Sequence, residues 1–293
     1  MPEAIQQLRT FNRTVTRRLG VLNEKYLGRD RPYVESRLLF EIGSRGATVR
    51  ALRERLAMDS GFLSRTLRAL EGKGLAATRP SAEDARVREV RLSRTGLAEL
   101  RRIDALSDQL AQSILDPLSE KQAQQLLAAT REVERLLRAS SIEIAYEDPS
   151  GAAARHCLEQ YFAEIDARFS GGFDRAKGGS SEIADFAPLR GCLLVARLFG
   201  EPVGCGALRT IAPGIGEIKR MWIAPSVRGL GLGRRLLADL ERVARTRKMR
   251  AVRLDTNSAL AEALHLYRSS GYREIERFND NPYAQHWFEK MLR

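Results

Sequence analysis

Cysteine, histidine and lysine are scarce in this chain of 293 residues, and each scarcity excludes something. The three cysteines, Cys157, Cys192 and Cys205, are odd in number and widely spaced. They fit neither a disulfide framework nor a zinc site, and buried free thiols are expected. His156, His265 and His286 have no metal-ligand spacing, so no metal is expected. No apolar run approaches ~18 residues, which argues against a transmembrane helix and a membrane partner. The first twenty residues lack an apolar core ahead of a small-residue cleavage site, so no secretory signal is expected and the default compartment is the cytoplasm. What remains is a globular balance, 43% hydrophobic and 29% charged, over a length that suits two domains of roughly 150 residues.

The formal charge is +12, but 42 of the 49 basic residues are Arg and only 7 are Lys, a skew that GC-rich codon usage also produces. Location therefore decides. Residues 1–140 hold 26 basic and 18 acidic side chains, a net of +8; residues 141–293 hold 23 and 19, a net of +4. Between Arg45 and Arg94 there are 12 basic against 6 acidic, so half the net charge lies in fifty residues, a footprint to test for nucleic acid.

Periodicity divides the chain at the same place. The first 140 residues carry apolar positions at helical spacing, ending in a stripe over Leu97, Leu100, Ile103, Leu106, Leu110 and Ile114 that Pro117 stops. Ser119-Glu120-Lys121-Gln122 is a capping signal for a last helix with Leu126, Leu127, Val133, Leu136 and Leu137 on one face. Long amphipathic helices at both ends of a small domain need a cover, and a partner subunit is the simplest. From Ser141 onward strands alternate with helices, as in a mixed α/β domain.

Within the first part, Val49, Leu52 and Leu56 give one short helix its buried face. Met58-Asp59 makes a corner, and Ser60 is placed to cap a second helix that buries Leu63, Leu67 and Leu70. The second helix then exposes Ser60, Gly61, Ser64, Arg65 and Arg68, small residues for close approach to a major groove and arginines for bases or phosphates. A helical hairpin with a solvated basic face explains the same pattern equally well. The following segment favours the first reading: 75–80 is extended, 81–85 a turn and 87–92 a returning strand, with Asp84 and Arg86 at the tip of this β-wing. An acid beside an arginine holds the guanidinium for a narrow minor groove. Helices, wing tip and the Leu92-Ser93-Arg94-Thr95-Gly96 helix start together resemble the multiple antibiotic resistance regulator (MarR) family over residues 1–140. The resemblance implies a dimer built from the terminal helices and bound to a palindromic site on double-stranded DNA.

In the second part a strand from Glu217 to Ile223 leads into Arg228-Gly229-Leu230-Gly231-Leu232-Gly233-Arg234, and an apolar helix follows. Exposed backbone N–H groups at such a helix start bind phosphate. A Rossmann fingerprint begun at Gly229 needs glycine at 234, where Arg234 stands, and no Gly-Lys-Ser/Thr follows for a Walker loop. Arg228-x-x-Gly231-x-Gly233 instead resembles the pyrophosphate motif of the GNAT acyltransferase superfamily. About thirty residues on, Ala263-Leu264-His265-Leu266-Tyr267-Arg268-Ser269-Ser270-Gly271-Tyr272 resembles that superfamily's A-x-x-x-Y-x-x-x-G-Y/F helix. The chain departs at Leu260, where many members place a cofactor-touching asparagine; Asn257 is the substitute to consider.

This second resemblance implies acetyl-CoA as donor and a primary amine, on a small molecule or peptide, as acceptor. It implies Glu217 as base through a water and Tyr267 as acid for the departing thiolate, with backbone of Met221, Trp222 and Ile223 on the pantetheine arm and of Gly229–Arg234 on the pyrophosphate. The residues alone leave alternatives open: Glu217 as a strand carboxylate paired to Lys219 or Arg220, Tyr267 as core, and Asn279-Asp280-Asn281-Pro282-Tyr283 as a plain hairpin loop. A flexible loop over 171–181 is the expected place for acceptor specificity. The expectation is therefore a multidomain chain: a mainly α winged helix-turn-helix domain (1–140), then an α/β, mixed-sheet, GNAT-like acyltransferase domain (141–293). Its rivals are a regulator whose second domain only senses acetyl-CoA and a dimeric acetyltransferase that does not bind DNA.

Overall fold

A computed structural model describes residues 2–82, 84–175, 177, 183–188 and 190–292. Contacts divide the chain into two compact units, Met1–Thr130 and Arg131–Arg293. No helix among the described residues is long and apolar enough to cross a membrane, and the three cysteines are buried and free.

In the first unit, helix α1 (Pro2–Leu19) precedes α2 (Tyr33–Ile42), a two-residue strand β1 (Ala47–Thr48), α3 (Val49–Leu56) and α4 (Ser60–Gly72). Strands β2 (Ala76–Pro80) and β3 (Arg88–Leu92) form the wing, and α5 (Arg94–Leu115) and the start of α6 (Glu120–Ser140) follow. The sheet order is β1-β3-β2, all antiparallel, with Ala47 opposite Val90 and Ala76 opposite Leu92. β1 has no periodicity of its own to betray it. The core collects Leu38, Leu39 and Ile42 of α2, Leu52 of α3, Leu63, Leu67 and Leu70 of α4, Val90 of β3 and Ile103 of α5.

The helix ends are set by side chains. Thr48 accepts from Ala51 N at the start of α3, and Ser93 accepts from Gly96 N at the start of α5. For α4 the cap is Asp59, whose Oδ1 accepts from Gly61 N (2.9 Å) and Phe62 N (3.0 Å). Ser60, expected to cap, is the first helical residue, because the carboxylate one position earlier takes those N–H groups. At α6 the capping box forms, with Ser119 N donating to Gln122 Oε1 (3.0 Å) and Gln122 N to Ser119 Oγ (3.4 Å). A Cβ on Gly96 would stand 1.9 Å from Leu75 O, so only glycine lets α5 start against the α4–β2 connection. Neither α1 nor α6 buries a residue: Ile5, Leu8 and Phe11, and Leu126, Leu127, Leu136 and Leu137, are exposed.

The second unit opens with the last turns of α6, ten residues before the junction expected at Ser141. Their arginines belong there: Arg135 Nη1 donates to Gly229 O (3.1 Å) and Arg138 Nη2 to Ser226 O (3.4 Å), while Arg235 Nη1 donates to Ala139 O (2.7 Å). Then come β4 (Ile142–Glu147), α7 (Ala152–Arg168), β5 (Gly191–Leu198), β6 (Glu201–Ala212), β7 (Ile215–Ile223), α8 (Leu232–Thr246), β8 (Ala251–Thr256), α9 (Ala261–Ser269), β9 (Arg273–Glu274) and β10 (His286–Met291). They build a seven-stranded sheet of order β4-β5-β6-β7-β8-β10-β9, antiparallel except between β7 and β8.

Alternate residues of β5 and β6 feed two cores, which is why both strands read as continuous apolar runs. Leu193, Val195, Cys205 and Ala207 meet Ala154 and Cys157 of α7. Cys192, Leu194 and Leu208 meet Leu236, Leu237 and Leu240 of α8 with Leu254 and Phe288. Of the glycine-rich stretch expected over the acceptor, Gly178, Gly179, Ser180 and Ser181 lie outside the described residues.

Candidate active site and candidate nucleic-acid surface

The parallel pairing of β7 with β8 runs only from Ile215 opposite Ala251 to Glu217 opposite Arg253. Beyond Glu217 the ladder ends while both strands continue, so the sheet opens there. Within this stretch the β6–β7 register shifts, and Arg220 adopts φ +56°, left-handed backbone that costs a non-glycine residue on the order of 1 kcal/mol or more. Such strain persists where surroundings impose it, commonly at ligand sites.

After Ile223 the chain turns through 225–227 and enters α8 by Gly229 (φ +78°) and Gly231 (φ +75°). A Cβ on either would meet nothing within 4 Å, so backbone conformation calls for the glycines and the space above them is open. These residues line a cleft of ≈ 630 Å³ together with Met221, Trp222, Ile223, Arg228, Leu232, Gly233 and Arg234. Of the residues expected to hold the cofactor, two lie elsewhere. Leu230 packs with Ile142, Leu198 and Val227. Asn257 spends its amide on the local chain, Nδ2 donating to Tyr283 O (2.7 Å) and Oδ1 accepting from Ala259 N (2.8 Å), and lines a second cavity instead. The cleft's open backbone, helix start and arginines suit a long phosphorylated carrier.

Glu164 of α7 was not singled out by the sequence. Its Oε2 accepts from Trp222 Nε1 (3.0 Å) and Arg228 Nη2 (2.5 Å), and Arg168 joins it to Glu262 of α9. All five side chains line the cleft. These contacts link elements far apart in sequence, and no motif announces them.

The second cavity, ≈ 80 Å³, is walled by Phe169, Phe173, Lys219, Arg220, Asp255, Asn281 and Tyr283 among others. Six residues line both spaces: Tyr161, Ile165, Met221, Leu260, Ala263 and Tyr267. The cleft and the cavity therefore share a wall that includes Tyr267, which is 6% exposed. Burial, then the neighbouring Tyr161 and Asp255, push its phenol up, so it stays protonated through the neutral range. Leu260, the residue before α9, stands on the same wall, with no side-chain cap bond.

Glu217 lies on neither wall. It is 1% exposed and accepts from Arg209 Nε (2.6 Å), Lys219 Nζ (3.2 Å) and Asn279 Nδ2 (3.0 Å). The carboxylate at the wall is Asp255, bound by Lys219 Nζ (2.6 Å), Asn279 Nδ2 (2.9 Å) and Asn281 Nδ2 (2.6 Å). Burial raises its pKa, but Lys219 and the amide donors outweigh that and hold it below the usual carboxylate value. Asn281 and Tyr283 of the 279–283 segment thus line the cavity, and Asn279 donates to both carboxylates.

In the first unit, α4 exposes Ser60, Ser64, Arg65 and Arg68, with Gly61 half-buried. At the wing tip Asp84 Oδ1 accepts from Arg86 N (3.0 Å) and Arg86 Nε (3.2 Å), and the arginine is 92% exposed. Exposed pairs of this kind add little stability. Arg79 and Arg88, exposed on the wing strands, extend the same basic surface and were missed as strand residues.

Fold and site thus define a winged helix-turn-helix unit joined to a mixed-sheet unit whose sheet opens between two parallel strands. Residues 29–87 match the model of the MarR family, and residues 158–272 match that of the acetyltransferase (GNAT) family. Over 92 residues, 31% of this chain, the sequence is 43% identical to an "IAA acetyltransferase" of Azospirillum brasilense, covering 59% of that protein. It is 32% identical over 96 residues, 33% of this chain, to an "Amino-acid acetyltransferase" of Mycobacterium tuberculosis, covering 51% of it. A solved MarR variant from Escherichia coli is 24% identical with a TM-score of 0.39, over 43% of this chain and 93% of that one. The chain spans between half and two thirds of the length of these curated relatives. It is a fusion of a MarR-family segment with a GNAT-family acetyltransferase segment.

Proposed function

We propose that this chain is a cytoplasmic, dimeric, DNA-binding regulator that is also an acetyl-CoA-dependent N-acetyltransferase acting on a primary amine. The observation that carries the enzymatic half is the wall, Tyr267 included, that the cleft and the cavity share. Acetyl-CoA supplies the activated acyl group, and the acceptor's nitrogen must approach it from the other side. The cleft between β7 and α8 takes the carrier, with Gly229, Gly231 and the start of α8 toward the pyrophosphate and the free edge of Met221–Ile223 toward the pantetheine arm. The sensor reading does not need an acceptor cavity that is lined by the same tyrosine.

An acceptor amine, with a pKa near ~10.4, enters protonated and loses a proton before it attacks. As the N–C bond forms and the C–S bond breaks, the electron pair leaves on sulfur. In sum the ammonium gives up two protons, one to the thiol and one to solvent. In this reading Glu217 takes up the second proton on its way to solvent, reached through water and the Lys219–Asn279–Asp255 network that stands between it and the cavity. Tyr267 donates a hydrogen bond to the departing sulfur. Its raised pKa favours donation over complete transfer to a thiolate whose own pKa is near ~8.5.

For the DNA-binding half, the exposed small and basic residues of α4 and the braced Arg86 support major- and minor-groove contacts to a palindromic operator. The unburied apolar residues of α1 and α6 support a second copy as their cover. Gel-shift titration on DNA flanking the chain's own gene tests this half. Binding is expected to weaken with salt, and Arg86→Ala to weaken it further with a shallower salt slope. No retardation at low salt would leave an enzyme whose basic unit only dimerises.

A further inference from the structure

The acceptor cavity carries charge and shape that narrow the amine. Asp255 is the one carboxylate on the described part of its wall. Behind it, Asp185, Arg209, Glu217, Lys219 and Asp255 alternate in sign over contacts of 3.0, 2.6, 3.2 and 2.6 Å. The row begins and ends on a carboxylate; its outer end, Asp185, is met at 4.0 Å by the mostly exposed Arg190, and its inner end, Asp255, lines the cavity. Asp255 Oδ2 accepts from Asn281 alone among the described residues, which leaves it a lone pair for one cation. Among the described residues of that wall a second cation meets no second carboxylate, and Lys219 and Arg220 stand beside the first.

Part of the cavity's lining is aromatic. The Tyr283 ring lies 4.7 Å from that of Phe173 and 5.9 Å, nearly parallel, from that of Phe169. The Tyr283 hydroxyl accepts from Asp174 N (2.9 Å), and Phe173 N donates to Asp166 Oδ1 (2.7 Å), which tie the rings to the chain on both sides. A flat apolar body gains ring contact there without displacing a polar partner.

Resting on the transferase reading above, we propose that the acceptor is an aromatic monoamine, its ammonium on Asp255 and its ring against Phe169, Phe173 and Tyr283. Polyamines and aminoglycosides, with several cations each, are disfavoured by the single carboxylate on the described part of that wall. The transfer is the one already balanced: the nitrogen bonds to the acyl carbon, sulfur leaves with the electron pair, and two protons go to thiol and solvent.

The experiment measures thiol release from acetyl-CoA with 2-phenylethylamine, n-butylamine, spermidine and kanamycin, beside saturation-transfer NMR of each amine's binding. The expected result is a kcat/KM for 2-phenylethylamine at least tenfold above the other three. In Asp255→Asn its KM rises tenfold or more, while the KM for acetyl-CoA, with n-butylamine or 2-phenylethylamine as co-substrate, is unchanged. In Tyr283→Leu its KM rises and that of n-butylamine does not. Preference for spermidine or kanamycin, or an unchanged KM in both variants, overturns the proposal and leaves the transferase reading standing. Binding of 2-phenylethylamine that Asp255→Asn abolishes, with no turnover of any amine, upholds the aromatic-amine site and overturns both its role as acceptor site and the transferase reading. No binding and no turnover overturns both.

Discussion

Removing one oxygen from Tyr267 separates catalysis from packing. In Tyr267→Phe the ring remains, 6.2 Å from the centroid of Phe288 and 5.9 Å from that of Tyr272, so the core beneath α9 keeps its shape. What is lost is a donor on the wall that the cleft and the cavity share. Loss of one preorganised donor to developing negative charge lowers kcat by ~10²–10³, about 2.7–4 kcal/mol. The stability change should stay below ~1 kcal/mol, a Tm shift of roughly 2–4 °C for a chain of this size. Raised in the folded state, the wild-type phenol contributes stability that is complete below the unfolded pKa of ~10 and is lost as pH rises above it. Phe removes this alkaline loss. The assay is initial-rate thiol release at saturating acetyl-CoA, with a thermal melt on the same sample. A folded variant with kcat within threefold of wild type would refute the role assigned to the hydroxyl.

Three further outcomes follow from the same coordinates. Gly96→Ala forces a Cβ to within 1.9 Å of Leu75 O and should destabilise the first unit by more than ~3 kcal/mol, abolishing gel retardation while thiol release persists. Glu99 accepts from Arg29 Nε (2.8 Å) and Nη2 (2.9 Å), which holds its pKa below the ordinary value; its contribution is present above pH ~4.3 and lost as pH falls through the depressed value. Glu99→Gln should then cost roughly 1–2 kcal/mol at pH 7 and progressively less as pH falls below ~4.3, read from urea unfolding across that range. Gly231→Val places a β-branched residue at φ +75°, costing ~1–2 kcal/mol, and fills the open space above the loop; isothermal titration should show acetyl-CoA affinity reduced tenfold or more with gel retardation intact.

The parts of the site that were legible in the sequence are those written in local backbone demands. Gly229 and Gly231 mark left-handed turns before a helix, Ser93 and Gly96 mark a helix start, and Asp84 precedes Arg86 at a tight wing tip. Each rule concerns residues a few positions apart, so spacing carries it. What was not legible depends on pairing across the fold. Glu217 reads as a strand residue entering the cleft, yet Arg209 from β6 and Asn279 from the last loop enclose it, and Asp255 takes the wall. Asn281 and Tyr283 read as hairpin-loop residues, yet they close the cavity over a chain separation that no periodicity encodes. The last turns of α6 continue an apolar stripe begun in the first unit, and only the carbonyls of Ser226 and Gly229 reveal where Arg138 and Arg135 are used. Asp59 displaced Ser60 as a cap because two good capping residues stood side by side and the chain's turn selected between them.

The central claim is that the cleft and the cavity form one acyl-transfer site. It is tested most directly by acetyl-CoA-dependent thiol release from the purified full chain over amino acids, monoamines, polyamines, aminoglycosides and peptides, with acetyl-CoA binding measured on the same protein. Turnover with at least one primary amine, lost in Tyr267→Phe, is the predicted result. Measurable acetyl-CoA binding without turnover of any acceptor would contradict it and leave the second unit as a sensor.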